Sequence, residues 1–523
     1  MMVRLRGWSF WAAALLILAR CHPESSESGI TFLIDSPPDS LDDRLALSVN
    51  GQRLAQLIAP GLVIFDDQGE SVPDLAVSYR QLDPVVWAFK LRDGLYFHDG
   101  TALTSEDVKA TYDAILQGEF SSPKAQKFAS ILSIDAPDPS TVIFHLRRPY
   151  APILAELTLG IVPKRRARGP QAAAQDEQPI GAGPFRFASR GDENHLELRP
   201  FSAYYRGEPR ISDLKVRVVR DETARVLELL KGRADLLQGS ISPAVLPAVK
   251  RNPSLRVLTS SGTGYSYIGL NVRGPPFSDR RVRQALCQAL DVPLIANAKF
   301  HGLAVPASGM LPRNHWAYWD TGGCRRDLVE AAKLLAEAGY TTAGSEDLSA
   351  QSTPPKPPLR FTLKTSSDRL RKSIALIMKE ELAQLGVEIE LQSLEFGTFF
   401  NDVRKGNFDA VTLKWVPIIE PNLLQDVFSS RNIPSIGNQF SGLNRGGYAN
   451  ARLDLLLELA SGADRTQRLN LYHQAQEILE RDLPYIPLWH EDVVAVVSSR
   501  LRDFQPSAQG FLRPLAVARE VRP

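Results

Sequence analysis

The chain has 523 residues, 44% of them hydrophobic and 23% charged, which suits a globular protein of two to four domains and argues against wholesale disorder. Lys plus Arg number 61 and Asp plus Glu 59, a net charge of +2 with both signs mixed along the chain, so the electrostatic footprint of a nucleic-acid binder is missing. The three cysteines, Cys21, Cys287 and Cys324, are too few and too widely spaced for a disulfide scaffold or a zinc knuckle.

Arg4 and Arg6 precede an apolar run over residues 8–19, broken only by Ser9. The run is shorter than the roughly 20 residues of a spanning helix and suits the core of a secretory signal peptide, assigned here to residues 1–21. No later stretch reaches spanning length, so the mature chain is expected to be soluble outside the cytoplasm, in the periplasm or on the outer face of the cell membrane. Leu18-Ala19-Arg20-Cys21 is similar to a bacterial lipobox, with Arg20 where a small residue normally stands. Cys21 is therefore either a lipidation site or a neighbour of an ordinary cleavage point.

Further along, residues 85–91 read as a strand rich in Val, Trp and Phe, and Asp93-Gly94 and Asp99-Gly100 as turns. Thr104 caps a helix, with Asp107 three residues on and Val108, Tyr112, Ile115 and Leu116 at helical spacing. Residues 141–146 alternate as a strand. Residues 164–178, rich in Arg, Ala and Gln, read as an exposed linker, as does the Ser/Thr/Pro-rich stretch 341–358. Cys287 lies in an apolar helical pattern with Val282, Leu286, Ala289 and Leu290, so a buried free thiol and a disulfide with Cys324 both stay open. The strand–helix–strand order over residues 359–391 reads as a βαβ unit.

Catalytic signatures are missing: no G-x-S-x-G, H-E-x-x-H, C-x-x-C or G-x-x-x-x-G-K-[ST] occurs. Gly181-x-Gly183 and Gly262-x-Gly264 lack the third glycine of a dinucleotide fingerprint. His98, beside Asp99, reads as a locally bonded turn histidine, and His473 and His490 are too far apart in pattern to suggest a metal site.

Several blocks carry a family likeness. Pro73-Asp74-Leu75-Ala76-Val77-Ser78-Tyr79 is followed by Trp87-Ala88-Phe89-Lys90-Leu91-Arg92, then by Gly94-Leu95-Tyr96-Phe97-His98-Asp99-Gly100-Thr101. Gly181-Ala182-Gly183-Pro184-Phe185, Phe277-Ser278-Asp279-Arg280-Arg281-Val282-Arg283-Gln284-Ala285 and Pro484-Tyr485-Ile486-Pro487-Leu488-Trp489 continue in order. The ensemble resembles the family 5 extracellular solute-binding proteins of ABC importers, which include oligopeptide, dipeptide and nickel binders.

The resemblance implies an α/β, two-lobed clamp of the type II periplasmic-binding-protein kind, enlarged by a subdomain. Lobe I would comprise 28–58, 175–270 and 485–523, with an inserted subdomain at 59–174, and lobe II would be 271–484. It implies a binding protein, not an enzyme, without cofactor, monomeric, capturing a peptide or similar small solute for an ABC permease and its ATPase subunits. A non-peptide solute, such as a nickel chelate, opine or sugar, or a sensor role, is the alternative.

Peptide binders of the family place an acidic residue shortly after a Trp to hold the peptide's amino terminus. The matching Trp is Trp415, but Val416, Pro417, Ile418 and Ile419 follow, and Glu420 is the only acid near. Tyr265 and Tyr267, sharing one strand face, are expected to line the cleft or the core behind it. Leu47, Ser48 and Asn50 follow Ser40-Leu41-Asp42, which resembles the family's first loop after strand one, and backbone contacts to solute are expected there. Asn438 and Phe440 are placed on the lobe II side, and Arg445 either serves an anionic group or is a solvated loop residue.

Overall fold

A computed structural model describes residues 28–342 and 357–521; the leader with Cys21 and most of the 341–358 stretch lie outside them. Its centre is an eleven-stranded sheet. Ten strands, in chain order, are β1 (Ile30–Ile34), β2 (Phe185–Asp192), β3 (His195–Pro200), β4 (Leu214–Val218), β5 (Leu236–Gln238), β6 (Leu255–Leu270), β7 (Arg360–Ser366), β8 (Glu388–Leu394), β9 (Ala410–Trp415) and β10 (Tyr485–Ser498). Across the sheet they run β8-β7-β9-β6-β10-β5-β1-β4-β3-β2, with the short strand Ala304–Pro306 paired to β10.

Two long strands join the halves of this sheet. β6 and β10 are antiparallel from Leu255 opposite Ser498 to Gly269 opposite Tyr485, with a register shift between Ser260 and Gly264. A Cβ on Gly262 would lie 2.1 Å from the Glu491 carbonyl oxygen, and one on Gly264 2.6 Å from the Lys414 side chain. Glycine is thus required at 262, where the β10 backbone closes in, whereas at 264 the Lys414 and Val416 side chains would have to shift. Past the shift, β6 is buried from Gly262 to Leu270 without alternation, as a strand covered on both faces must be. There it pairs with β9, from Tyr265 opposite Trp415 to Leu270 opposite Ala410. At its other end, β10 pairs with β5. The molecule is a two-lobed α/β clamp whose halves share one strand pair.

A separate four-stranded antiparallel sheet, Ala76–Asp83, Val86–Leu91, Thr141–Leu146 and Ile131–Asp138 in spatial order, has its own core. Phe89, Tyr112, Phe128 and Phe144 meet edge to face there at 5.4–5.5 Å. The helix expected after Thr104 spans Ser105–Leu116, and the Thr104 N–H donates to Asp107 Oδ2 at 2.9 Å. β7, the helix Arg369–Ala383 and β8 form the expected βαβ unit, the two strands parallel.

Two local readings change and one open alternative is decided. Residues 164–178 are not a linker: they form a turn at Lys164–Arg166 and a helix at Pro170–Glu177. Proline at the helix start and the alanine run favour that helix, and the buried Gln175 side chain donates to the Ile180 carbonyl at 2.7 Å. Cys287 and Cys324 are joined in a disulfide, with Cα atoms 5.2 Å apart. His98 bonds not within its turn but across to the 181–183 segment, to the Gly183 carbonyl at 3.1 Å and from the Gly181 N–H at 3.3 Å. Burial pushes its imidazole down to about 4.

Five helices bear on the site: α1 (Val49–Ile58), α2 (Ile153–Glu156), α3 (Phe396–Lys405), α4 (Leu423–Phe428) and α5 (Arg465–Asp482).

Candidate functional site

β9 ends at Trp415, and the chain then runs through Pro417 and Glu420 into α4. Facing it are the end of α1, the strand Val63–Phe65, Phe128 and α2. Between them lies a cleft of about 430 Å³, whose lining also includes Phe511 and Arg513. The size suits a small organic solute. The walls combine apolar surface (Phe65, Phe128, Trp415, Phe511) with charges of both signs.

Most of those charges are already matched. Lys124 pairs with Asp43 at 2.9 Å, and Asp43 Oδ2 also accepts the Gly160 N–H. Arg513 grips Asp74 with both terminal nitrogens. Glu420 is held by Arg468 of α5, while burial pushes its carboxyl upward. Three groups remain. Lys127 and Asp426 have no ion pair or side-chain hydrogen bond among the described residues. Glu156 accepts from the Tyr150 hydroxyl at 2.9 Å and from Ser130 at 3.4 Å. Burial nevertheless drives Glu156 up to about 8, with the nearby Asp426 charge in the same direction, and drives Asp426 to about 6. Lys127 is lowered by burial and by Lys124. Two carboxyl groups on opposite walls are thus short of cationic partners.

The residues singled out from sequence divide sharply. Trp415 and Glu420 line the cleft. Tyr265 and Tyr267 do not: each is 2% exposed, and they stack on one another at 5.6 Å and 12°. Tyr267 also stacks on Tyr485 at 4.0 Å and lies parallel to Trp415 at 6.5 Å, so this pair backs the site rather than facing it. Leu47, Ser48 and Asn50 are engaged elsewhere. Asp39 Oδ2 accepts the Leu47 and Ser48 N–H groups at 2.8 and 2.9 Å, Ser48 caps α1, and Asn50 donates to Asp35 and Ser36. The backbone donors expected to meet solute are used within the loop. Asn438 ties its own loop through Ile433 and Ser435, and neither it nor Phe440 reaches the cleft. Arg445 is not a solvated loop residue; it is 8% exposed, with its Cζ 4.8 Å from the Phe400 ring centre and 5.2 Å from that of Trp415.

Glu156, Asp426 and Lys127 carried no signal in the sequence, since they come from three distant segments with no shared spacing. Among the described residues, no group of three or more His, Cys, Asp or Glu side chains is arranged to hold a metal ion, and no helix is long and apolar enough to cross a membrane.

Residues 70–432 match the bacterial extracellular solute-binding proteins, family 5, over that family's middle region. The chain belongs to this family. It is 27% identical to Heme-binding protein A of Haemophilus influenzae, covering 97% of this chain and 98% of that one. It is also 27% identical to the oligopeptide-binding protein AppA of Bacillus subtilis, covering 80% and 77%. Its fold matches the ABC transporter substrate binding protein CtaP of Listeria monocytogenes with a TM-score of 0.82 at 23% identity, covering 94% and 99%. It matches NikZ of Campylobacter jejuni, solved with Ni(L-His), with a TM-score of 0.79 at 24% identity and the same coverage. The cleft is lined jointly by residues of the 43–159 stretch, by 415–426 and by Phe511 and Arg513. In that cleft the positions after Trp415 offer no free acid: Ile418 is fully buried, and Glu420 is neutralised by Arg468.

Proposed function

We propose that this protein is the extracytoplasmic solute-capturing component of an ABC importer, taking a peptide or similar small solute between its lobes and passing it unchanged to a membrane permease with its ATPase subunits. The observation that carries the proposal is the interlobe cleft of about 430 Å³, walled by both lobes and holding the unmatched carboxyl groups of Glu156 and Asp426. A solute ammonium between them would supply the missing cation, a duty the segment after Trp415 does not perform here. In this reading lobe I (28–58, 175–270, 485–523) with its subdomain (59–174) closes on lobe II (271–484) about the register shift in β6. Separate apolar cores on the two sheet halves and under the four-stranded sheet support that division.

The test is calorimetric titration of a free-amine tripeptide and its N-acetyl twin. One solute should bind per chain and be recovered intact. Acetylation should weaken binding tenfold or more, and Asp426→Asn or Glu156→Gln should remove that preference. Equal affinity for the twins, or hydrolysis of the peptide, would overturn the reading; no binding of either would move the solute to the non-peptide classes. Residues 1–21 would direct export, with Cys21 carrying lipid. Palmitate label entering the wild type but not Cys21→Ser is expected, and label in neither would leave a protein free of the membrane.

A further inference from the structure

Behind the cleft, one buried histidine joins stretches of chain that are far apart in sequence. His315 is 4% exposed and belongs to residues 307–327, which form neither helix nor strand. Both of its ring nitrogens are engaged. The Ala317 N–H donates to Nδ1 at 3.0 Å, so the proton sits on Nε2, whose N–H donates to the Ile419 carbonyl at 2.9 Å. Burial, with the charges of Arg465 and Arg468 nearby, drives the imidazole down to about 4, which keeps it in the neutral form this pairing needs.

The two stretches that meet at this ring are two walls of the cleft. Ile419 lines it, as do Trp415, Val416, Pro417 and Glu420 around it. The second stretch is the turn that follows the lining strand Val63–Phe65. A Cβ on Gly69 of that turn would lie 3.1 Å from the His315 Cδ2, 3.2 Å from its Nε2 and 3.1 Å from the Ile419 carbonyl oxygen, so the turn rests on the hydrogen bond itself. Asn314 and the Trp316 N–H, on either side of the histidine, donate to the carbonyls of Asp67 and Gln68. The 415–420 stretch is also tied to β6, where the Ile418 N–H donates to Thr263 Oγ1 at 3.3 Å, and to α5, where Arg468 holds Glu420. His315 is the one of these supports that touches both walls.

We propose that His315 is a positioning residue for solute capture: without touching solute, it sets the spacing between the 63–69 and 415–420 walls of the cleft. A ring held at both nitrogens has a fixed orientation, so it acts as a rigid spacer between the surfaces packed on it. The proposal rests on the solute-capture reading above and adds a residue outside the cleft lining to it.

Two variants of the full chain test it. His315→Gln still offers an N–H donor and an oxygen acceptor, whereas His315→Ala offers neither. Calorimetric titration with trialanine should show affinity lowered about tenfold or more in His315→Ala and kept within about threefold of wild type in His315→Gln. Loss of a buried ring lowers the thermal midpoint of His315→Ala whatever its role, so hydrogen exchange of the ligand-free proteins, well below that midpoint, gives the second readout. Exchange should quicken in His315→Ala over both 63–70 and 415–422, stay at the wild-type rate in the four-stranded sheet, and return towards wild type in His315→Gln. Unchanged trialanine affinity in His315→Ala, or faster exchange confined to 307–327, overturns the proposal and leaves His315 a core residue of its own loop. If wild type does not bind trialanine, the peptide reading fails separately, and the solute co-purified from the native host takes the peptide's place: solute kept by His315→Gln and lost by His315→Ala upholds the positioning role, and solute kept by His315→Ala overturns it.

Discussion

Glu156 shows at the scale of one residue how the cleft is prepared for a charged guest. Tyr150 and Ser130 hydroxyls favour its ionised form, yet burial outweighs them and holds the carboxyl at about 8. Asp426, across the cleft, stands at about 6 for the same reason, and Lys127 is the one cation that opposes both shifts. Both carboxyls lie above their unfolded values, so the folded chain binds protons more tightly than the unfolded one. The stability this confers is complete below about pH 4 and is lost as the pH climbs through 6 and then 8. The thermal midpoint of the ligand-free protein should therefore fall between pH 5 and pH 8, and Glu156→Gln should flatten the upper part of that fall. An ammonium bound between the two carboxyls reverses the shift. Binding at pH 7 should then release protons, seen as a calorimetric enthalpy that varies with the ionisation heat of the buffer. A midpoint equally pH-dependent in Glu156→Gln would show that another group titrates there.

At the scale of elements, legibility follows the range of the interactions. The helix Ser105–Leu116 was readable because its start signal, Thr104 with Asp107, is three residues long and its apolar face repeats within one helix. The βαβ unit of β7, its helix and β8 was readable for the same reason: alternation, 3.6-residue spacing and a terminal Gly386 lie within one short stretch. The helix Pro170–Glu177 was missed because it has a weak apolar face and its buried Gln175 looks like solvent-facing polarity in sequence. The cleft was least legible. Trp415 could be picked out by its context, but Glu156 and Asp426 lie 270 positions apart in the chain and meet only when α2 and α4 face one another. Arg445 reads as a loop arginine until Phe400 and Trp415 are brought to it. The alternation puts Tyr265 and Tyr267 on one face of β6, but what covers that face depends on Tyr485 of β10, adjacent in the sheet and distant in sequence.

Across the whole molecule, the two sides of the proposed clamp also touch at a turn close to β6, whose Thr263 N–H donates to the neighbouring Ala508 carbonyl at 3.2 Å. Residues 66–70 join the strands Val63–Phe65 and Ser71–Pro73 and reach over to residues of the proposed lobe II. Asn314 Nδ2 donates to the Asp67 carbonyl at 2.7 Å, the Trp316 N–H to that of Gln68 at 3.3 Å, and Arg465 of α5 pairs with Glu70. On its own side the turn is fixed by Asp67 Oδ1, which accepts the Ala508 N–H at 2.8 Å. A second bridge, the Ala151 N–H to the Ser461 carbonyl at 2.8 Å, lies near α2. Neutral hydrogen bonds contribute about 1 kcal/mol each and an exposed ion pair no more than that, so the contacts bias closure by a few kcal/mol, an amount a solute can add to or a mutation remove. Gly69 is the vulnerable point. It sits at φ +76°, and a Cβ there would lie 3.1 Å from both the His315 ring and the Ile419 carbonyl oxygen. Gly69→Val combines the left-handed penalty of ~1–2 kcal/mol with those clashes, enough to shift the balance of closed to open roughly five- to thirtyfold. Small-angle scattering should then give a larger radius of gyration for the ligand-free variant than for wild type, with solute affinity reduced by a similar factor and the unfolding midpoint of the four-stranded sheet little changed. Glu70→Gln should act in the same direction but more weakly, because the ion pair it breaks is half exposed. Identical scattering and affinity in wild type and Gly69→Val would mean that closure is set at the β6–β10 crossing alone and that the turn merely rests against the opposite lobe.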